Sequence, residues 1–271
     1  MTGSIALKRT GNYITDTLRH LGDFFHFTAK TFLLCFRPIR FRLVMAHANQ
    51  LGMNALPLAF TTALFVGMVI VLQTGHELAM FNAKQYAAAG AAKGLTQVMI
   101  PVFTALVIGA RTAASIAAEL GTMRVTEQID AMEVLDVNPM RYLVVPRLLA
   151  VMIMLPVMTV YADVVGLAGG WAMGVFALGV PANQYLQITL DFMTLGDVIS
   201  GLIMTFFFAA AMAICGCYYG YTAGGGAEGV GRATTRAVVF TMMWLILLVY
   251  FLTSWILYLR GTIFAPRLLV G

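Results

Sequence analysis

The chain has 271 residues, is 60% hydrophobic and 11% charged, and has a mean hydropathy of +0.85. Soluble domains run nearer to roughly a quarter charged, so one water-facing core cannot hide this much apolar surface, and the bilayer is its solvent. The net charge of +5 does not point to nucleic acid, because seven of the seventeen Lys and Arg lie in the first 42 residues, interleaved with Phe and Leu, a pattern of attraction to a membrane surface.

Cys35, Cys215 and Cys217 have neither metal-ligand spacing nor the pairing of a disulfide framework, so no metal site and no bridge is expected. The N-terminus lacks a short apolar stretch followed by a small-residue cleavage site, and a cleaved signal peptide is not expected. Residues 13 to 36 place Ile14, Leu18, Leu21, Phe25, Phe32 and Phe36 near a 3.6 period, with Asp16, Arg19, Asp23 and Lys30 on other faces. This predicts an amphipathic helix lying in the membrane interface, with packing on protein as the alternative. Arg37, Pro38, Arg40 and Arg42 should break it and anchor the chain at a headgroup layer.

Five charge-poor runs follow, and roughly 20 residues cross a bilayer core. They predict spans from about Ala55 to Gly75, Leu95 to Ala117, Leu148 to Phe176, Val198 to Tyr219 and Val238 to Leu259. The expected fold is an all-α integral membrane protein, with an N-terminal arm and interfacial helix over 1–50 and a five-span domain over 51–271. Lys and Arg concentrate in the arm, in the loop between spans two and three, and in the loop between spans four and five. By the positive-inside rule this places the N-terminus and the 118–146 loop in the cytoplasm and the C-terminus outside.

Within that loop, Gly109 to Pro146 carries five of the twelve acids (Glu119, Glu127, Asp130, Glu133, Asp136) with Arg111, Arg124 and Arg141. Thr126 to Leu135 predicts a short helix with Thr126 as N-cap and Ile129 and Met132 on one face, stopped by Asn138-Pro139. Such a helix suits docking into a groove of a soluble subunit, and a solvated loop helix is the alternative.

No G-x-x-x-x-G-K-[ST] is present, so nucleotide hydrolysis must come from another chain. The glycine run from Gly224 to Arg232 predicts a flexible turn, with Arg232 and Arg236 as interface anchors. Gly166, Gly170 and Gly174 line one helix face and predict close backbone packing. Asp163 lies inside span three, where a carboxylate faces protein or a wet cavity, and structural and transport roles stay open. Gln73, His76 and Glu77 close span one at its outer end, either as a polar lip on a substrate cavity or as plain interfacial side chains. His76-Glu77 lacks the second histidine of H-E-x-x-H, and no Ser/His/Asp arrangement is evident, so the chain is not expected to be an enzyme.

Three separated blocks, Phe65 to Gln73, Gly109 to Pro146 and Gly224 to Val239, resemble the permease subunit of the MlaE (YrbE) family, the membrane component of MCE-associated ABC lipid transporters. The resemblance implies an interfacial helix, five spans and a coupling helix between spans two and three. It further implies a homodimer in the bacterial inner membrane, two cytoplasmic ABC ATPase subunits that bind the ATP, and an MCE-domain protein on the outer face. By the same resemblance, Glu119, Gly121, Thr122, Met123, Arg124, Thr126, Glu127, Gln128, Asp130 and Met132 fall in the ATPase-coupling region. Ile70, Gln73, Glu77, Phe81, Gln97 and Val98 fall where the family lines its lipid pocket. Many members carry Arg-Glu-Leu-Gly-Pro before span two, whereas this chain has Gln97-Val98-Met99-Ile100-Pro101, so the charged pair is lost. A secondary transporter or channel using Asp163 and Glu77 is the competing reading.

Overall fold

A computed structural model describes residue 19, residues 21–35 and residues 41–264. The described chain is helical with no strand among these residues, and five of its helices are long and apolar enough to cross a membrane. Helix α1 covers residues 21–35. The first span is α2 (Phe41–Ala79); the second is built from α3 (Ala87–Gly94), a π-helical segment (Leu95–Met99) and α4 (Ile100–Val125). A short α5 (Gln128–Val134) and a second π segment (Met140–Val144) lead into the third span, α6 (Val145–Phe176). Then come α7 (Ala182–Phe192), the fourth span α8 (Leu195–Tyr221) and the fifth, α9 (Gly226–Phe264).

Every span overshoots its charge-free run, since at about 1.5 Å per residue a helix of 39 residues such as α2 is far longer than a bilayer core. Both π segments lie just before a proline in the first turn of the helix that follows, Pro101 in α4 and Pro146 in α6. A proline ring clashes with the carbonyl four residues back and supplies no N–H, and the widened π turn accommodates that without ending the helix.

The bundle is held by small residues. In lipid no hydrophobic force pulls helices together, so close van der Waals approach must do it. α2 and α6 run side by side, and Gly67 meets Gly166 so tightly that a Cβ at Gly67 would lie 1.9 Å from the Gly166 carbonyl oxygen. The expected glycine face of α6 is real but serves two partners: Gly166 and Gly170 admit α2, and Gly174 admits the ring of Tyr185 from α7. α4 and α8 pack through Gly216 and Gly220 of α8 against Ala113 and Ala117. Ile108, Ile116, Leu148, Leu155, Met204, Phe208 and Met212 fill the interior between these contacts.

Polar ties pin the ends. Thr194 and Asp197 form a capping box at the start of α8, and the fully buried Asp197 pairs with Arg260 near the end of α9. Arg111 of α4 donates to the backbone carbonyl of Asn54 in α2. Asp163 is buried at 6% exposure, and its Oδ1 has no partner among the described residues.

Helix α1 uses two faces. Phe24 and Phe27 pack edge-on against Tyr218 of α8, and Thr31 is buried, while Leu21, Phe25 and Phe32 point outward. It therefore joins both readings, one face on protein and an apolar face left for lipid. Ile14, Asp16, Leu18, Phe36, Arg37, Pro38 and Arg40 lie outside the described residues.

Candidate functional site: the two ends of the bundle

Of the residues singled out in the sequence, those expected to couple to an ATPase collect at the end of the bundle where α5 lies. α4 ends at Val125, and the Thr126 hydroxyl donates back to the Thr122 carbonyl at 2.8 Å. Thr126 is thus a C-cap of α4 and not the N-cap of the next helix. That place belongs to Glu127, in the left-handed region at φ 60° with no side-chain cap, and α5 starts one residue later. A threonine hydroxyl serves either helix end, so the residue type alone could not decide between them. At the far side the Asn138 side chain accepts from the Arg141 N–H at 3.2 Å and starts the next turn.

α5 is clamped to the bundle. Ile129 is fully buried and Met132 packs against the core, so the apolar pair faces the chain's own bundle and not a partner's groove. Arg124 pairs with Asp130 and lies over the Tyr221 ring, and the Tyr221 hydroxyl donates to Glu133 at 3.2 Å. Behind them Glu119 pairs at 3.1 Å with Arg147, whose side chain is 3% exposed and also donates to the Leu143 carbonyl. Gly121 is buried where a side chain would press on Ala223 and Val230, and Met123 is half-buried.

α5 shows solvent Ala131, Glu133 and Gln128, whose amide donates to Thr126, and the apolar Val134, followed by Leu135 at its C-cap, the last two 88% and 74% exposed. These two were missed in the sequence, where they sit off the Ile129 and Met132 face. Their signal is the pattern break at the helix end, two large aliphatic side chains before Asp136 in the left-handed region. An apolar pair held proud on a braced helix is a surface for protein contact.

At the opposite end, α2 carries Gln73 and Glu77 exposed, with the Gln73 amide donating to the Glu77 carboxylate at 3.0 Å. Ile70 is half-buried against a second apolar cluster, and Phe81 stands 80% exposed in the turn after α2. Gln97, by contrast, is buried in the π segment and Val98 is half-buried beside it. Ile70, Gln73, Glu77 and Phe81 thus follow one line at the end of the first span.

An unforeseen helix borders this end. α7 packs on α3, the Gln184 amide donates to Gln85 at 3.1 Å, and Lys84 donates to the Leu178 carbonyl at 2.9 Å. Tyr185 of α7 is buried, which pushes its phenol up to about 12 and keeps it neutral. Leu186 and Leu190 remain exposed. Among the described residues no cluster of His, Cys, Asp and Glu could hold a metal.

Residues 44–255 match the family described as Permease MlaE. The chain belongs to the MlaE permease family. It is 38% identical over 217 residues to a probable ABC transporter permease protein of Rickettsia typhi, covering 80% of this chain and 84% of that relative. A probable ABC transporter permease of Synechocystis is 38% identical over 221 residues, 82% of this chain and 83% of its own. A chloroplast protein of Arabidopsis thaliana, TRIGALACTOSYLDIACYLGLYCEROL 1, is 30% identical over 216 residues, 80% of this chain and 62% of its own. As an MlaE-family permease, the chain is the membrane-spanning part of an ABC transporter, an assignment that its five apolar helices fit.

Proposed function

We propose that this permease moves phospholipid or a related lipid between membranes, driven by ATP hydrolysed on a separate subunit that docks on the α5 end. The observation that carries it is the braced α5 with Val134 and Leu135 presented to solvent. The Arg124–Asp130 pair and the buried Ile129 hold the helix on the bundle, and Glu119–Arg147 ties α4 to α6, so a partner's movement is passed to both and not lost in a loose loop. The lipid reading is supported by the family and by the Arabidopsis relative, whose name is that of a diacylglycerol glycolipid.

In this reading the α5 end faces the cytoplasm, in line with the basic residues gathered there, and the N-terminus lies on the same side of a bacterial inner membrane. Two copies pair, and the line Ile70, Gln73, Glu77 and Phe81 supplies an apolar wall with a small polar lip for a lipid facing an MCE-domain protein outside. Gln97 and Val98 support that wall from behind. Around Val134 and Leu135, the coupling set acts as their frame: Glu119, Gly121, Met123, Arg124, Asp130 and Met132 hold α5, and Thr122, Thr126, Glu127 and Gln128 form its rim.

The test is copurification of the ATPase with the chain carrying Val134→Asp and Leu135→Asp together. Both side chains are exposed, so the variant should fold and reach the membrane yet retain at most about a tenth of the partner, a loss of roughly 1.4 kcal/mol or more. Full retention of an active ATPase would remove α5 as the docking element.

A further inference from the structure

At the α5 end a second cavity, separate from α5, opens between α8 and α9. It encloses about 340 Å³ and is lined by Tyr219, Thr222, Gly224, Gly229, Arg232 and Arg236 among others. Its floor is a built turn. Gly225 and Gly226 hold φ of 86° and 71°, and a Cβ at Gly229 would lie 1.8 Å from the Gly224 carbonyl oxygen, so side chains are shut out here. The run that the sequence suggested as a flexible turn is helical from Gly226 onward.

The cavity has the charge for an anion. Arg232 meets only Glu228, at 3.2 Å, and that pair is 60% and 80% exposed, where water screens it to little effect. Arg236, one turn further along α9, has no ion pair or hydrogen bond among the described residues. Two guanidinium groups beside the Tyr219 and Thr222 side chains present donors to one space, the chemistry that recognises phosphate.

The neighbouring surface favours a lipid over a soluble ion. α1 packs on Tyr218, the residue next to Tyr219, with Leu21, Phe25 and Phe32 facing outward, which is the setting of an interfacial helix at headgroup level. From Arg236 the same face of α9 continues through Phe240, Met243 and Leu247, all exposed, at steps of four, three and four residues. Phe240 also lies against the Tyr219 ring, with centroids 5.1 Å apart, joining the apolar track to the cavity. Eleven residues at about 1.5 Å each span roughly 16 Å, near half of a ~30 Å hydrocarbon core. A phosphate at the arginines thus leaves an acyl chain one leaflet of apolar helix to follow.

We propose that this cavity binds the phosphate of an anionic phospholipid in the leaflet at the α5 end, with an acyl chain laid along Phe240, Met243 and Leu247. The site is separate from the line on α2, and it rests on the lipid reading above only in its choice of ligand. In the orientation proposed there, it belongs to the cytoplasmic leaflet.

The experiment uses the full chain in nanodiscs of phosphatidylcholine, alone or mixed with phosphatidylglycerol, and follows modification of Arg232 and Arg236 by phenylglyoxal with peptide mass spectrometry. Arg124, held by Asp130 at the same end, is the internal reference. Phosphatidylglycerol should slow modification of Arg236 about tenfold relative to Arg124, as charge-assisted hydrogen bonds of this kind imply. A photo-reactive residue at Met243 should capture phosphatidylglycerol, and Arg232→Gln with Arg236→Gln should lower that capture by a similar factor. Equal modification in the two kinds of disc would overturn the site. Protection by inorganic phosphate in phosphatidylcholine discs, as strong as that by the anionic lipid, would overturn the lipid as ligand. Protection that needs the ATPase and not the anionic lipid would make the cavity a protein contact and overturn it equally. A complex that transports lipid without such protection sinks this site alone, whereas protection in a complex that moves no lipid sinks the transport reading and leaves the site.

Discussion

The two ends of the bundle use the same residue types in opposite ways. At the α5 end the charged groups point at one another: Glu119 to Arg147, Asp130 to Arg124, Glu133 to Tyr221. The contacts of Asp130 and Glu133 fix a short helix that ends on the exposed Val134 and Leu135, and Glu119–Arg147 ties α4 to α6 behind it. At the other end of α2 the polar pair Gln73 and Glu77 satisfies itself within one helix and braces nothing else, and Phe81 stands free. Around α5 charge is architecture, while on the end of α2 it is exposed surface, the buried Asp197–Arg260 pair that ties α8 to α9 lying elsewhere at that end. The difference fits an end that must transmit force through a rigid contact and an end that must let a substrate pass.

The comparison breaks most visibly at Glu119. Replacing it by Ala leaves the guanidinium of Arg147, at 3% exposure, with only the Leu143 carbonyl. Removing one partner of a fully buried pair costs several kcal/mol, and with Glu119 about a third exposed the expected loss is about 2–3 kcal/mol, read as a fall in melting temperature of the detergent-solubilised chain. Glu77→Gln at the open end should change the melting temperature by less than the equivalent of about 0.5 kcal/mol. Equal losses at the two positions would erase the distinction between them.

A second comparison lies within α5 itself. Ile129→Ala, at a fully buried site, should destabilise the chain by about 2–4 kcal/mol, whereas Leu135→Ala should leave its melting unchanged and weaken ATPase binding. The reverse pattern would mean that α5 turns its Ile129 face to the partner. Glu77→Gln also sharpens the choice between mechanisms. An ATP-driven permease keeps most of its transport in this variant, while a proton-coupled carrier loses activity together with its pH dependence.

The smallest effect is expected at α7. Burial raises the Tyr185 phenol from 10 to about 12, so the stability it lends is fully present below pH 10 and falls away as pH rises toward 12. Hydrogen exchange of α7 should accelerate over that window, and Tyr185→Phe should remove the acceleration. An unchanged profile in the Phe variant would assign the alkaline loosening to another group.

The spans were legible in the sequence because hydropathy reports the solvent around a segment, and five charge-poor runs leave no alternative to lipid. Most of their ends were not, since α2, the second span and α9 continue as helix past the membrane core on residues polar enough to look like loop, whereas α6 keeps close to its expected bounds. The π segments need the carbonyl clash at Pro101 and Pro146 to be recognised, and that clash depends on the helix continuing through them. α7 escaped because its Leu186 and Leu190 are few among polar neighbours. The segment that holds α5 was legible by its charge, yet the facing of Ile129 was not. A short amphipathic helix shows which residues share a side, and only the bundle decides whether that side turns in or out. Glu119 and Arg147 lie 28 residues apart, a pairing that no local pattern reveals.

The central claim is that lipid movement by this chain requires ATP hydrolysis passed through α5. It is tested most directly by reconstituting the chain with its copurified ATPase in proteoliposomes and measuring transfer of a fluorescent phospholipid to acceptor vesicles, for the parent and for Val134→Asp with Leu135→Asp. The account predicts transfer that needs hydrolysable ATP in the parent and falls at least tenfold in the variant. Transfer that proceeds at the same rate without ATP, or that the variant supports in full, would contradict it.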